Sequence, residues 1–298
     1  MQWYPGHMAK ARRELAAAIP MQDLVIEVLD ARLPRASANP LIAELLGDKP
    51  CLRVLTKADL ADPAITDAWL RHFARDRRIL AAALTTETPK ETRSLVAELA
   101  QRLAPRKPLR ALIAGVPNVG KSTLINTLMN RAVAVVGNKP AVTKGQQQVV
   151  LSNGTVLSDT PGIMWPKIDD EDVALRLALA GSIPDTAIDY VIVGTFAARL
   201  LLERYPDRLS LRFKLAALPD APQELLCEIG RRRGCLRSGG VIDLHKASEI
   251  LVHELRSGGL GRISLEAPLD HVVDGAPGEA LDGDQARSLT PPRSTPAA

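Results

Sequence analysis

The eight residues GVPNVGKS (115–122) set two glycines, a lysine and a serine at the spacing G-x-x-x-x-G-K-S, between an apolar run and a helical pattern. That context turns spacing into chemistry. Successive backbone N–H groups of such a turn form a nest for phosphate oxygens, reinforced by the positive end of the following helix. Gly120 leaves room for a phosphate to approach the backbone. Lys121 would set its ammonium against the β- and γ-phosphates of a nucleotide, and the Ser122 hydroxyl would ligate Mg²⁺.

About 40 residues downstream, Asp159-Thr-Pro-Gly162 follows another apolar run. A carboxylate there can hold Mg²⁺ through water, and the Gly162 N–H can sense a γ-phosphate. Between the two motifs, Thr143 lies in the polar stretch KPAVTKGQQQ (139–148), where a threonine can complete the metal shell. A base-reading group is still needed. Thr56-Lys57-Ala-Asp59 closes the apolar run CLRVLT (51–56). Asp59 can accept the guanine N1–H and amino hydrogens, a pattern adenine does not offer, while the Lys57 stem packs over the ring.

In an ordinary GTPase the base-reading motif follows DxxG, but here it precedes the phosphate loop by about 60 residues. Asp30-Ala-Arg-Leu-Pro34 is displaced forward in the same way. The base-reading half therefore comes first and the phosphate-reading half second. A sheet domain with adjacent termini accommodates this circular permutation through the connector APRKP (104–108). The combination indicates a guanine-nucleotide-hydrolysing P-loop enzyme and disfavours a P-loop kinase or ATPase.

These motifs need strands to carry them. The runs 23–31, 51–56 and 109–115 are rich in Val, Ile and Leu and read as buried strands. Two more strands, 146–152 and 155–159, meet at the Asn153-Gly154 turn. Helices are expected at 8–19, 41–46, 64–75, 90–103 and from Lys121 onward, with a short apolar stretch at 78–84. The expected fold is α/β: a three-layer P-loop GTPase domain of permuted motif order over residues 1–181. Segments 186–204, 222–231 and 245–257 read as helices without strands, so a small all-helical domain is expected over 182–267. Residues 268–298, rich in Pro, Gly, Ala, Asp and Ser, read as a disordered tail.

Composition narrows the class. The chain of 298 residues is 46% hydrophobic and 24% charged, as expected of a globular protein with a real core, and only 3% aromatic. A net charge of +4 favours a polyanionic partner. No run is long enough to span a membrane, and the three cysteines, Cys51, Cys227 and Cys235, form no C-x-x-C. A reducing, cytoplasmic setting follows from that reading.

The residues resemble the ribosome biogenesis GTPase A family. The opening WYPGHMAK (3–10), DARLPRASANP (30–40), TKAD, GVPNVGKS and DTPG stand in that family's permuted order. IGRRRGCLRSGG (229–240) and LRSGGLGRISLE (255–266) resemble its helical C-terminal domain. The resemblance covers about residues 1–267. It implies a cytoplasmic factor for late assembly of the large ribosomal subunit that binds GTP or GDP and ribosomal RNA and is stimulated by the subunit; nothing in the sequence suggests an obligate dimer, so a monomer is expected. It further implies nucleotide contacts at Thr56, Lys57, Asp59, Thr85, Thr86, Asn118, Val119, Gly120, Lys121, Ser122, Thr123 and Gly162. Mg²⁺ would be held by Ser122, Thr143 and Asp159. Asn118 would serve a potassium ion, although as a residue it reads equally well as a loop-stabilising amide.

Two departures stand out. The family's usual Asn is Thr56 here, which places more of the guanine preference on Asp59, and Pro-Ala-Val precedes Thr143 where a Gly is usual. Ile163 follows DTPG where many GTPases carry a water-orienting glutamine, so unaided hydrolysis should be slow. The resemblance assigns water positioning to His7, a residue that by itself reads as a surface or capping histidine. With Lys121, Thr143 and Gly162 it makes up the expected catalytic set. Arg231, Arg232, Arg233 and Arg237, with Lys246, Arg256 and Arg262, form a basic cluster suited to phosphate-directed RNA binding. The competing reading is an RNA-binding module that uses GTP structurally with negligible turnover.

Overall fold

The computed structural model describes residues 5–85, 88–105, 108–130, 147–151, 153–160, 164 and 168–269, with side chains described from Arg12 onward. Six strands form one sheet in the order β3-β2-β1-β4-β6-β5. They are β1 (Leu24–Asp30), β2 (Cys51–Thr56), β3 (Ile79–Ala83), β4 (Arg110–Ala114), β5 (Gln147–Val150) and β6 (Val156–Asp159). All neighbours pair in parallel except β5 and β6, which are antiparallel. Every residue of β1, LVIEVLD, is buried, because helices cover both faces of the sheet.

Alternation along β1 sorts the layers. Leu24, Ile26 and Val28 face the cluster that holds Val96 and Leu99 of helix α5 (Pro89–Leu103) and Leu124 and Ile125 of α6 (Lys121–Met129). Val25 faces Leu15 of α1 (Pro5–Ala18) and Leu41 of α3 (Pro40–Leu46), and Leu29 faces Trp69 and Phe73 of α4 (Pro63–Phe73). Proline fills the first turn of several helices, where its missing N–H costs nothing, and Asn39 and Asp62 accept the free N–H groups of α3 and α4.

The chain moves outward from β1 through β2 to β3, then crosses back under the sheet to lay β4 on the other side of β1. The strand order reverses between β1 and β4, and ligands of open α/β sheets lie outside the strand C-termini at such a point. Register places Asp30 beside Thr56 and Glu27 beside Ala114, so the ends carrying DARLP, TKAD and the phosphate loop converge there. A side chain at Gly115 would come within 2.5 Å of the Val28 carbonyl oxygen, so only glycine lets the loop leave β4 this close to β1.

Beyond the sheet follow α7 (Glu171–Leu179), α8 (Tyr190–Arg204), α9 (Pro206–Phe213), α10 (Pro222–Arg232) and α11 (Leu244–Ser257). One apolar cluster runs continuously from Ile113 through Leu177 and Leu179 to Leu201, Ile229, Leu251 and Leu265. Several elements differ from expectation. The alanine-rich ILAAA stretch is a strand, because pairing with β2 from Cys51–Ile79 to Leu55–Ala83 outweighs its weak strand propensity. Helices α2 (Pro34–Ser37), α7 and α9 have no counterpart in the sequence reading. The first is a single turn, and α9 begins at Pro206, a residue that reads as a break but also serves as a helix start. The expected tail lies, beyond Leu269, outside the described residues.

Candidate nucleotide site

The phosphate loop is a turn with two left-handed residues, Asn118 at φ 56° and Gly120 at φ 104°, leading into α6 at Lys121. Lys121 is 7% exposed and closes over its own loop, its Nζ donating to the carbonyls of Gly115 at 3.0 Å and Val116 at 2.8 Å. Burial draws its pKa down to about 8, against the pull of Asp159. Val119 is buried, and Ser122 and Thr123 are half-buried on the first turn of α6.

Asp159 ends β6 beside Ile113. The adjacent Thr160 is pinned to the Ile113 carbonyl by its N–H and by its hydroxyl, the latter at 3.0 Å. Asp159 is 2% exposed, and among the described residues neither carboxylate oxygen has a hydrogen-bond partner. Burial raises its pKa to about 6, while Lys121 draws it down. Two orphaned carboxylate oxygens facing the loop fit a hard divalent cation, and hydroxyl and carboxylate oxygens are the donors such an ion takes. Among the described residues no group of three His, Cys, Asp or Glu could form a metal cluster, and all three cysteines are free.

At the other end lies a cavity of about 130 Å³, and Thr56, Lys57, Asp59, Thr85, Gly120 and Thr123 line it together. Motifs far apart and permuted in the chain thus share one wall. Leu84, Thr92, Leu124 and Thr127 line it too, and nothing in their local pattern marks them. The Thr56 hydroxyl faces two carbonyls, Leu29 at 3.0 Å and Val119 at 2.5 Å. It therefore joins the ends of β1 and β2 to the phosphate loop.

Lys57 takes a left-handed conformation, φ 57°, and bonds Asp30 at 2.8 Å. Asp30 also holds Arg32 through Nε at 2.9 Å and Nη2 at 2.8 Å. Burial works to raise the Asp30 pKa, but Arg32 and Lys57 overrule it and hold the carboxyl far below the usual range. Arg32 is 2% exposed, and its Nη1 has no partner among the described residues. The Lys57 ammonium is thus committed to Asp30, which leaves its stem to form the cavity wall. DARLP stands out in the sequence as a strand end, but its part in fixing Lys57 follows only from the parallel register of β1 and β2.

The basic cluster is not one uniform face. Arg231 and Arg232 bond Glu228, Arg233 bonds Glu254, and Arg237 bonds Asp243. Two members bond backbone carbonyls instead. Arg256 caps the end of α7, donating to the carbonyls of Leu179 and Ala178, and Arg262 donates to the loop after β2. His7 lies in the first turn of α1, its side chain outside the described atoms. Thr86, Thr143, Gly162 and Ile163 lie outside the described residues. No described helix is long and apolar enough to cross a membrane.

Residues 110–195 match a family model described as "50S ribosome-binding GTPase". Ribosome biogenesis GTPase A of Bacillus cereus is 42% identical over 280 residues, covering 90% of this chain and 94% of that protein. The Thermotoga maritima protein of the same name is 34% identical, covering 91% and 95%. Among solved structures, GDP-bound YlqF aligns with a TM-score of 0.65 at 29% identity, covering 87% of this chain and all of that one. GNP-bound YlqF from T. maritima aligns at 0.62 and 30% identity. With permuted motifs folded onto one cavity and relatives alike along nearly their whole length, the chain belongs to the ribosome biogenesis GTPase A family.

Proposed function

We propose that this GTPase binds the precursor of the large ribosomal subunit in its GTP state, promotes late maturation and leaves after hydrolysis that the subunit stimulates. One observation carries the enzymatic half of this reading. Asp59, Lys57 and Thr56 share a cavity wall with Gly120 and Thr123, although they precede the phosphate loop in the chain. The partner is inferred from the relatives' names and from the family description of 50S binding.

In this reading Asp59 accepts the guanine N1–H and 2-amino hydrogens, and Lys57, anchored on Asp30, presents its stem to the ring. Backbone N–H groups of 116–122, with Thr123, hold the phosphates, and Lys121 leaves its loop carbonyls to meet β- and γ-oxygens. Ser122, Asp159 and Thr143 would hold Mg²⁺, which neutralises charge on the phosphates when bound. Asn118 serves a potassium ion, Gly162 contacts the γ-phosphate, and Thr85 and Thr86 close the base side. Ile163 cannot hydrogen-bond water, so His7 positions the attacking water once the subunit orders the N-terminal helix. Residues 182–267 act as a helical RNA-binding unit on a permuted GTPase domain of residues 1–181, in a cytoplasmic monomer.

The test is hydrolysis of GTP and ATP in potassium or sodium, with and without purified large subunits. Turnover that requires GTP, rises in potassium and rises again with the large subunit is the expected result. Tight GTP binding that no subunit accelerates would replace this reading with an RNA-binding module that uses nucleotide structurally.

A further inference from the structure

The loop that carries Asp59 is held from outside by residues about 200 positions away. After α11 the chain turns at Gly258 and runs as an extended strap, 258–266, across the C-terminal ends of β1 and β2. Arg262 Nη2 donates to the Ala58 carbonyl at 3.0 Å, and its Nε donates to the Ala61 carbonyl at 2.9 Å. The Ile263 N–H donates to the Leu60 carbonyl at 2.8 Å, and the Asp62 N–H donates to the Ser264 hydroxyl at 3.2 Å. A single guanidinium therefore grips the carbonyls on both sides of Asp59, and the strap backbone takes the next one.

The strap is itself anchored. The Leu265 N–H donates to the Arg32 carbonyl at 2.7 Å, and the Ser264 N–H donates to the Tyr205 hydroxyl at 3.0 Å. The Glu266 carboxylate accepts the N–H groups of Arg35 and Ala36 at the start of α2. At its head, Gly258 has φ 79°, and a Cβ there would lie 2.7 Å from Leu60 Cδ2, so the strap fits the loop closely at both ends.

The loop needs such support. It opens on Lys57 at positive φ, a conformation that costs a non-glycine residue about 1–2 kcal/mol. On the opposite side it is tied by the Ala58 N–H to the Leu84 carbonyl at 3.2 Å and by the Lys57 ammonium to Asp30. To accept both the N1–H and the 2-amino hydrogens of guanine, a carboxylate must be held in position and in angle, and an error of about 1 Å forfeits much of that contact.

We infer that Arg262 is a specificity-determining positioning residue, which reaches from the C-terminal strap to set the loop that aims Asp59 at guanine. The inference rests on the assignment of Asp59 to the base. Because the strap continues α11, whatever binds the helical segment is linked to guanine affinity, and by linkage the effect runs both ways.

Titration with fluorescent GDP and IDP tests this, since inosine lacks the 2-amino group and the ratio of the two affinities reports the aim of Asp59. In Arg262→Ala, two charge-assisted hydrogen bonds are lost. GDP affinity should fall about tenfold and the preference for GDP over IDP should shrink by about threefold or more. Arg262→Lys, which keeps the charge but reaches one carbonyl at a time, should recover part of the preference. Equal losses for both nucleotides, or no loss, would sink the positioning role, since a merely structural residue would not move the ratio. Asp59→Asn in the same assay should erase the preference. If it does not, the base assignment fails and takes the inference with it, and that result is distinct from the failure of Arg262 alone.

Discussion

The Asn118 side-chain amide donates to the Gly181 carbonyl at 2.8 Å, so the phosphate loop is tied to the corner that follows α7. The same corner is gripped from the other side by Arg256 of α11, which donates to the Leu179 carbonyl at 3.1 Å and the Ala178 carbonyl at 2.8 Å and pairs with Asp185 at 2.9 Å. With the nitrogen engaged, the carboxamide orientation is set by its bond to Gly181. The loop-stabilising reading of Asn118 thus has a bond behind it, while its potassium role belongs to the proposed function.

That tie predicts a loss of stability in Asn118→Asp. A carboxylate cannot donate to Gly181, so unfolding in denaturant should show a loss of about 1–2 kcal/mol. Unchanged stability would mean that the Gly181 contact contributes nothing.

Arg256 donates to two carbonyls at the end of α7, Leu179 and Ala178, the latter of which also accepts the Gly181 N–H. Its replacement by Ala should destabilise the protein by about 2–3 kcal/mol. A double-mutant cycle with Asn118→Ala should give a coupling of about 0.5 kcal/mol or more, because both side chains hold one corner. Strict additivity would show that the two ties act separately.

Asp159 predicts a pH signature. Its folded pKa of about 6 lies above the ordinary carboxylate value, so the folded state binds the proton more tightly than the unfolded chain. Stability is then undiminished below about pH 4 and is lost as pH rises through 6, by about 2–3 kcal/mol in total. In metal- and nucleotide-free protein, Asp159→Asn should remove this dependence, so its melting temperature relative to the parent rises between pH 4 and pH 8. Because Lys121 interacts favourably with the ionised form, the gain from Asp159→Asn should be larger in a Lys121→Ala background, where nothing offsets the burial of the charge. A pH-independent difference between parent and Asp159→Asn would show that the carboxyl ionises freely.

Thr56 links β1, β2 and the phosphate loop through one hydroxyl, whose single proton serves one carbonyl at a time. Thr56→Val keeps the shape and removes the proton, so GDP affinity should fall by about 1–2 kcal/mol. Thr56→Asn, with two amide protons, should bind GDP at least as tightly as the parent. Equilibrium titration of the three proteins decides this, and a Thr56→Val that binds as well as the parent would dismiss the tether.

Several features were determined by the sequence alone. Runs of Val, Ile and Leu locate β1, β2 and β4, because a strand buried on both faces must be apolar throughout. The phosphate loop and TKAD can be read as motifs because each depends on neighbours a few residues apart, while the end of DTPG lies outside the described residues. Motif order alone exposes the permutation. Tertiary structure decided what depends on distance. The strand character of ILAAA comes from its pairing with β2, and the pairing of Lys57 with Asp30 comes from parallel register. Arg256 and Arg262 look like members of a basic RNA-facing cluster, yet they bond backbone carbonyls of α7 and of the base-reading loop. An arginine carries the same charge whether it faces solvent or a buried carbonyl, and its partner about 200 residues away is chosen by how the helices pack, which no local pattern encodes.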